Sequence, residues 1–245
     1  MFVILSKYQN QTAFILIILQ KHFTMDHTVK IISATYVNHN VKQFDVEKPK
    51  GFKFTPGQAT DLTINQPEWK DKKNPFTFTC LNDDTFLQFT IKIYKDSEEG
   101  VTKHLAELKP GDELIISDAW GVIEYKGPGY FIAGGAGITP FLAILRELFV
   151  DGGIEGNTLF FSNNTEKDII LASELKRMLG ENAHFTTTQD NSGSDHRRID
   201  ANFLKAEVKD FKKHFYVCGP DQMVKDITEV LESLGAEADS VVFEK

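Results

Sequence analysis

Cysteine is scarce in this 245-residue chain: its two copies, Cys80 and Cys218, stand far apart in apolar, strand-like surroundings. A thiolate zinc site or an iron–sulfur cluster needs more ligands in tighter groupings, so no metal centre is expected. Two buried thiols in a reducing cytoplasm are the expected state, in place of a disulfide framework. Positive charge is also short, with 27 Lys and Arg against 35 Asp and Glu and a net charge of −8. Nucleic-acid binding rests on neutralising phosphates with a basic surface, and this balance argues against it. A membrane-spanning run is missing too. The apolar stretch near the start, Ala13 to Leu19, has seven residues, against about 20 for a bilayer span. Gln20 to Phe23 offer no small-residue cleavage site. Residues 1–24 are read as an N-terminal extension, with a start assigned too far upstream as the leading explanation and a real extension or a targeting segment as alternatives. No stable membrane insertion is expected, and a globular pattern begins at Met25.

What is present divides in two. From Met25 to Tyr125 short strands alternate with turn residues: Val29 to Ile32, Phe44 to Glu47, Ala59 to Ile64, Phe76 to Leu81, Phe86 to Tyr94 and Leu114 to Ser117. Leu87, Phe89, Ile91 and Ile93 alternate with Gln88, Thr90, Lys92 and Tyr94, as a half-buried strand requires. Such spacing predicts a small barrel or sandwich. One short helix is expected after Gly100-Val101-Thr102, with Thr102 as its cap. It reads either as a phosphate site or as a surface loop over a barrel end. In Asn74-Pro75-Phe76-Thr77-Phe78-Thr79 the rings should face one way and the hydroxyls the other. That pattern fits a core strand or a platform for a flat heteroaromatic.

After Gly129 strand and helix alternate, predicting a parallel sheet covered on both faces. Strands are expected at Tyr130–Ala133, Thr158–Ser162, His184–Thr188 and Phe215–Cys218, with Val241–Phe243 closing the sheet. Helices are expected from Pro140, near Leu171–Leu179, near Ala201–Ala206 and at Asp221–Leu234. Within this half, Gly129 to Phe149 reads as a buried strand, a cluster of small residues (Gly134, Gly135, Ala136, Gly137) and an apolar helix. Glycines let backbone N–H groups approach a ligand closely. Thr139 as N-cap and Pro140 at the first turn mark the helix start, where an anion is favoured. It is an incomplete dinucleotide fingerprint, since Pro140 stands where a third glycine belongs and the second strand ends in Ser162-Asn163-Asn164 with no acid. A second strand-to-helix turn, Cys218-Gly219-Pro220, lies at another carboxyl end, where ligands bind on such sheets.

Five segments in order resemble the ferredoxin–NADP reductase superfamily, the reductases with an FAD-binding FR-type domain. They are Phe54-Thr55-Pro56-Gly57-Gln58, Asn74-Pro75-Phe76-Thr77, Gly100-Val101-Thr102, Gly134 to Pro140 and Cys218-Gly219-Pro220. The resemblance runs from Met25 to Lys245 and is closest in kind to bacterial flavodoxin or ferredoxin reductases. It implies a two-domain β plus α/β fold: an antiparallel Greek-key flavin barrel over 25–126, then a doubly wound parallel α/β domain for the nicotinamide dinucleotide over 127–245.

The same resemblance implies the site. Phe76 would stack on the flavin and Thr77 would present its hydroxyl to flavin N5. Asn74 stands where the family has an arginine for the flavin phosphate, with Pro75 between. Asn has no charged fork, so Lys72, Lys73 or Lys103 would have to substitute as point charges. Gly100, Val101 and Thr102 would hold the flavin diphosphate, and Gly134, Gly135, Gly137, Ile138, Thr139 and Pro140 the nicotinamide pyrophosphate. Cys218, Gly219 and Pro220 would lie beside the nicotinamide, with Glu244 approaching the same ring; Thr77, Cys218 and Glu244 are the expected catalytic residues. The implied cofactors are FAD, in preference to FMN, with NADH or NADPH as donor. The third strand's end, Thr187-Thr188-Gln189-Asp190, leans to NADH, whereas Arg197 and Arg198 pull toward NADPH. The implied partner is a small acidic flavodoxin or ferredoxin, steered by Lys48, Lys50, Lys53, Lys70, Lys72 and Lys73 or met by them as an ordinary solvated surface. Two alternatives stay open: an enzyme using free flavin as substrate, and a catalytically silent nucleotide-sensing or redox-docking module.

Overall fold

The computed structural model describes residues 25–95, 100–189, 195–237 and 241–243. Glu244, Asp190 and the 1–24 extension lie outside these residues. The first half forms one six-stranded antiparallel sheet from β1 (His27–Tyr36), β2 (Val41–Glu47), β3 (Ala59–Ile64), β4 (Asn74–Thr77), β5 (Phe86–Lys92) and β6 (Glu113–Ile116). Their spatial order is β4-β3-β6-β1-β2-β5, a Greek-key arrangement. The period-two pattern of β5 is realised as Leu87, Phe89 and Ile91 in the core, joined by Phe44, Leu62, Phe78 and Leu114. Burying a side chain of that size contributes about 1.5–3 kcal/mol.

Closure of this sheet happens at the Phe-Thr segment. The expected strand Phe76–Leu81 pairs with β3 only as far as Thr77. The Phe78 amide then donates to Gln58 O at 3.1 Å and the Thr79 amide to Gln88 O at 2.8 Å, so the chain changes partners from β3 to β5. A single Phe78–Phe89 bridge seals the corner. Phe78 is buried in the core, stacked on Phe54 at 4.6 Å, and half-buried Phe76 packs against the same core at the seam.

The second half is a five-stranded parallel sheet of β7 (Gly129–Gly134), β8 (Thr158–Asn163), β9 (Ala183–Thr187), β10 (His214–Cys218) and β11 (Val241–Phe243), ordered β11-β10-β7-β8-β9. Every residue of β7 is buried, as expected for a parallel strand covered on both sides. Alternate residues serve opposite cores. Phe131 and Ala133 pack with α2 (Thr139–Val150) and α3 (Ala172–Leu179); Tyr130 and Ile132 pack with α4 (Ala201–Glu207) and α5 (Asp221–Ser233). The short helix of the barrel half is α1 (Val101–Leu105).

The two halves share packing. Val41 of β2 and Ile123 of the connection are buried in the core of the α/β half. The Tyr216 hydroxyl accepts from the Lys126 and Gly127 amides at 2.9 and 3.0 Å and donates to Gly127 O at 2.8 Å, fastening the connecting strand to β10. Cys80 and Cys218 are buried with no disulfide between them, and burial pushes the Cys80 thiol up to about 11. Among the described residues, no helix is long and apolar enough to cross a membrane.

Candidate functional site

In the α/β half the strand order reverses between β7 and β10: the chain runs outward from β7 through β8 and β9, then returns to the other side of β7. Crevices of this kind take ligands at the strands' carboxyl ends. Here Ala133 pairs in register with Cys218, so the turns Gly134–Pro140 and Cys218–Pro220 lie side by side. Their glycines are fixed by that proximity. A Cβ on Gly137 would collide with the Cys218 carbonyl and come within 2.6 Å of the Gly219 nitrogen, and one on Gly219 would reach the Gly134 Cα at 3.2 Å.

Gly135 differs. Its φ is +53°, a left-handed conformation that favours glycine, and a Cβ there would meet nothing within 4 Å. It opens a one-turn 3-10 segment, Gly135–Ile138, that runs straight into α2. The helical N–H array thus begins at Gly135, earlier than expected. Thr139 is not the N-cap: it lies inside α2, and its hydroxyl donates back to Ala136 O at 3.0 Å. Pro140 does occupy the first turn. The leading N–H groups of such a segment have no partner within it and face a ligand readily.

A cleft of about 1530 Å³ joins these turns to the barrel seam. Of the predicted site residues, Pro75, Phe76, Thr77 and Thr102 line it from the barrel, and Gly134, Gly135, Gly137, Thr139, Pro140, Cys218, Gly219 and Pro220 line it from the sheet. Asn74, Gly100, Val101 and Ile138 do not line it. The side chains of Val101 and Ile138 are buried, one in each core, which leaves their backbone for any contact. Thr102 does not cap α1, whose N-cap is Gly100 with no side-chain bond; its hydroxyl instead accepts from the Tyr94 amide at 3.3 Å.

The cleft also holds residues that sequence reasoning passed over. Trp120, 38% exposed, and Tyr94 line it from the barrel half. Trp120 is placed by exchanging backbone bonds with Ala59 at 2.7 and 2.8 Å. The adjoining Ile123 packs on Gly57, where a Cβ would lie 3.1 Å from the Ile123 carbonyl carbon; the Thr-Pro-Gly-Gln segment thus supports this wall from behind. Asn163, 5% exposed at the end of β8, lines the cleft with both carboxamide atoms lacking a hydrogen-bond partner, and the Thr228 hydroxyl is in the same state. Orphaned buried polar atoms and a glycine with empty space beyond it fit a polar ligand such as a dinucleotide. Half-buried Phe76 and the Trp120 indole fit a flat ring system.

The positive charges are partly committed. Arg197 pairs with Asp195 at 2.6 Å and Glu207 at 2.7 Å, whereas Arg198 lines the cleft. Lys48 donates to Asn82 O and Asp84 O, the Lys72 ammonium sits 4.3 Å over the Trp69 ring, and Lys73 pairs with Asp26 at 3.3 Å. Asn74 donates to Lys72 O at 3.5 Å.

Two family models match this arrangement. An FAD-binding domain matches residues 26–168, more than half of the chain, and an oxidoreductase NAD-binding domain matches 131–229. The chain belongs to the ferredoxin–NADP reductase superfamily. Members are NAD(P)H-dependent flavoprotein oxidoreductases, and FAD and a nicotinamide dinucleotide are the cofactors of its two domains. The reductase component of propane 2-monooxygenase from Rhodococcus jostii is 25% identical over 81% of this chain and 57% of its own length. NADH-cytochrome b5 reductase 2 from Mycosarcoma maydis is 26% identical over 91% of this chain and 73% of its own. This chain therefore spans little more than half of the first relative. Among solved structures, ferredoxin NADP+ reductase from Neisseria gonorrhoeae, with bound FAD and NADP, has the same fold at a TM-score of 0.76; identity is 19%, over 89% of this chain and 98% of that one.

Proposed function

We propose that this chain is an NAD(P)H-dependent flavoprotein reductase of the cytoplasm, with FAD on residues 25–126 and the dinucleotide on 127–245. The carrying observation is the shared cleft: Phe76, Thr77 and Trp120 on one wall face Gly135, Cys218 and Gly219 on the other. When bound, the two cofactors supply hydride transfer and onward delivery of electrons. The protein's part is to bind, align and keep water out. Phe76 offers a ring face, and Thr77, largely buried at the seam, lines the cleft next to it. The backbone at Gly135–Gly137 would hold the dinucleotide pyrophosphate, and Gly100–Thr102 the flavin diphosphate. Close, fixed approach of Cys218–Gly219 to Gly137 would set the nicotinamide ring against the flavin wall. Alignment of this kind is worth several orders of magnitude in rate. Because Arg197 is held by two carboxylates, the pull toward a 2′-phosphate falls to Arg198, and NADH is the favoured donor.

For the acceptor we propose a small acidic electron-transfer protein, ferredoxin- or flavodoxin-like. Of the lysines singled out for this role, Lys50, Lys53, Lys70, Lys72 and Lys73 are exposed and Lys48 is half-buried. The named relatives and neighbour include both ferredoxin and cytochrome b5 reductases, so acceptor choice is a direct assay of this reading.

Asn74 favours a second reading, in which free flavin is a substrate. Its amide is turned to Lys72 O, Lys72 lies over Trp69 and Lys73 pairs with Asp26, which leaves Lys92 as the lysine lining the cleft from this wall, a point charge in place of an arginine fork. One spectrum of the purified protein in the near-ultraviolet and blue, before and after NADH without oxygen, separates the readings. A yellow protein bleached by NADH supports bound FAD. Colourless protein that reduces added flavin supports the second reading, and failure to bind either cofactor would reject both in favour of a silent module.

A further inference from the structure

Arg146 lies two turns into α2, the helix that issues from the Gly134–Pro140 turn. Its guanidinium is shared between the two halves of the protein. Nε and Nη2 donate to the Glu174 carboxylate of α3 at 2.6 and 3.0 Å, a bidentate fork within the α/β half. Nη1 reaches across to the barrel, donating to Thr79 O and, at 2.8 Å, to Gln88 Oε1. Thr79 follows Thr77 by two residues, at the corner where the chain leaves β3 for β5. Its hydroxyl is 3.1 Å from that of Thr90, which itself lines the cleft. Gln88 is held in turn: Gln43 donates to it at 2.9 Å, and it donates to Asp45 at 2.8 Å.

We propose that Arg146 is a positioning residue for the hydride step, holding the nucleotide helix on the flavin strand; this rests on the reductase reading above. Thr139 lies seven residues away along α2, which is roughly 10 Å at 1.5 Å per residue. Thr77 is two extended residues from the Thr79 carbonyl, roughly 7 Å. A single planar group therefore ties the helix that follows the pyrophosphate turn to the segment that carries Phe76 and Thr77, at short leverage. The neighbouring residue pushes the opposite way, since Glu147 faces the negative charge of Asp83 across the same interface. Arg suits the task and Lys does not, because only a fork can serve a carboxylate and two barrel acceptors at once.

The test uses holoenzyme and follows flavin reduction by NADH in single turnovers. Arg146→Met should slow hydride transfer at saturating NADH by about 10–100-fold, the penalty for a misplacement on the order of 1 Å. Flavin content and NADH affinity should stay within about twofold of the parent, and Arg146→Lys should restore only part of the rate. In flavin-free protein, Arg146→Met should raise amide hydrogen exchange at both 77–90 and 139–150. If Arg146→Met does not fold, Gln88→Leu, which removes the barrel end of the contact, should slow the step in the same manner. A parental rate in these variants, or a slower rate matched by equal loss of flavin or NADH binding, overturns the positioning role. A parent enzyme that NADH does not reduce would instead overturn the reductase reading itself.

Discussion

Gly137 and Gly219 press backbone against backbone on the α/β wall of the cleft, whereas the barrel wall opposite offers the ring of Phe76, the hydroxyl of Thr77 and the indole of Trp120. One wall recognises by excluding side chains and the other by displaying them. The consequences for tolerance differ. At Gly137 and Gly219 an added carbon meets main chain, whereas Gly135 has open space beyond it. On the barrel wall one aromatic ring can be exchanged for another that still offers a flat face, as at Phe76.

The sharpest way to break this contrast is Gly137→Val. The added carbons would drive into the Cys218 carbonyl and part the two turns. Reduction by NADH should fall by at least ~100-fold, while FAD content of the purified protein stays at the parental level. Loss of FAD from this variant would mean the walls are not separate in function. Next in size is Asn74→Arg. Restoring a charged fork toward the flavin phosphate should add about 1.5–3 kcal/mol, seen by equilibrium titration as FAD binding roughly 10–150-fold tighter. An unchanged dissociation constant would show that the flavin phosphate lies elsewhere.

The smallest effect concerns Glu147, at the join between the halves. Burial first, then Asp151 and Asp83, hold its carboxyl above the ordinary carboxylate value. Its folded pKa exceeds its unfolded one, so across that interval the native state binds more protons and stability falls as pH rises. The penalty is complete above the folded pKa and absent below the unfolded one. Glu147→Gln should therefore unfold at higher denaturant than the parent at neutral pH, with the gap closing as pH is lowered through that interval. A gap that does not change with pH would remove charge as its cause.

Most of the scaffold was legible because its signals are local. The bounds of β3 match the apolar alternation residue for residue, and the βα alternation from Gly129 onward reads directly into a parallel sheet. Failures arose where a distant partner decided the outcome. β4 stops at Thr77 because Phe78 and Thr79 find Gln58 and Gln88. Thr139 and Thr102 have the right chemistry for caps, but the 3-10 turn before α2 and the Gly100 start of α1 moved the helix ends past them. Arg146 carried no signal at all. In sequence it is a polar residue in an apolar helix, and its barrel partners lie 67 and 58 residues away. Asn163 was visible only as the place where an expected acid was missing.

The chain's two tryptophans occupy opposite situations. Trp69 is buried under the Lys72 ammonium and against the His104 ring, 3.8 Å between centroids, while Trp120 stands partly open in the cleft. Indole emission overlaps the absorption of oxidised flavin, so the protein has a built-in optical ruler. Light from Trp120 would dim as the cleft fills, and Trp69, buried in the barrel core, would serve as an internal reference. Replacing Trp120 by Phe isolates the reference; replacing Trp69 isolates the reporter. Occupancy of the cleft can then be followed without any label.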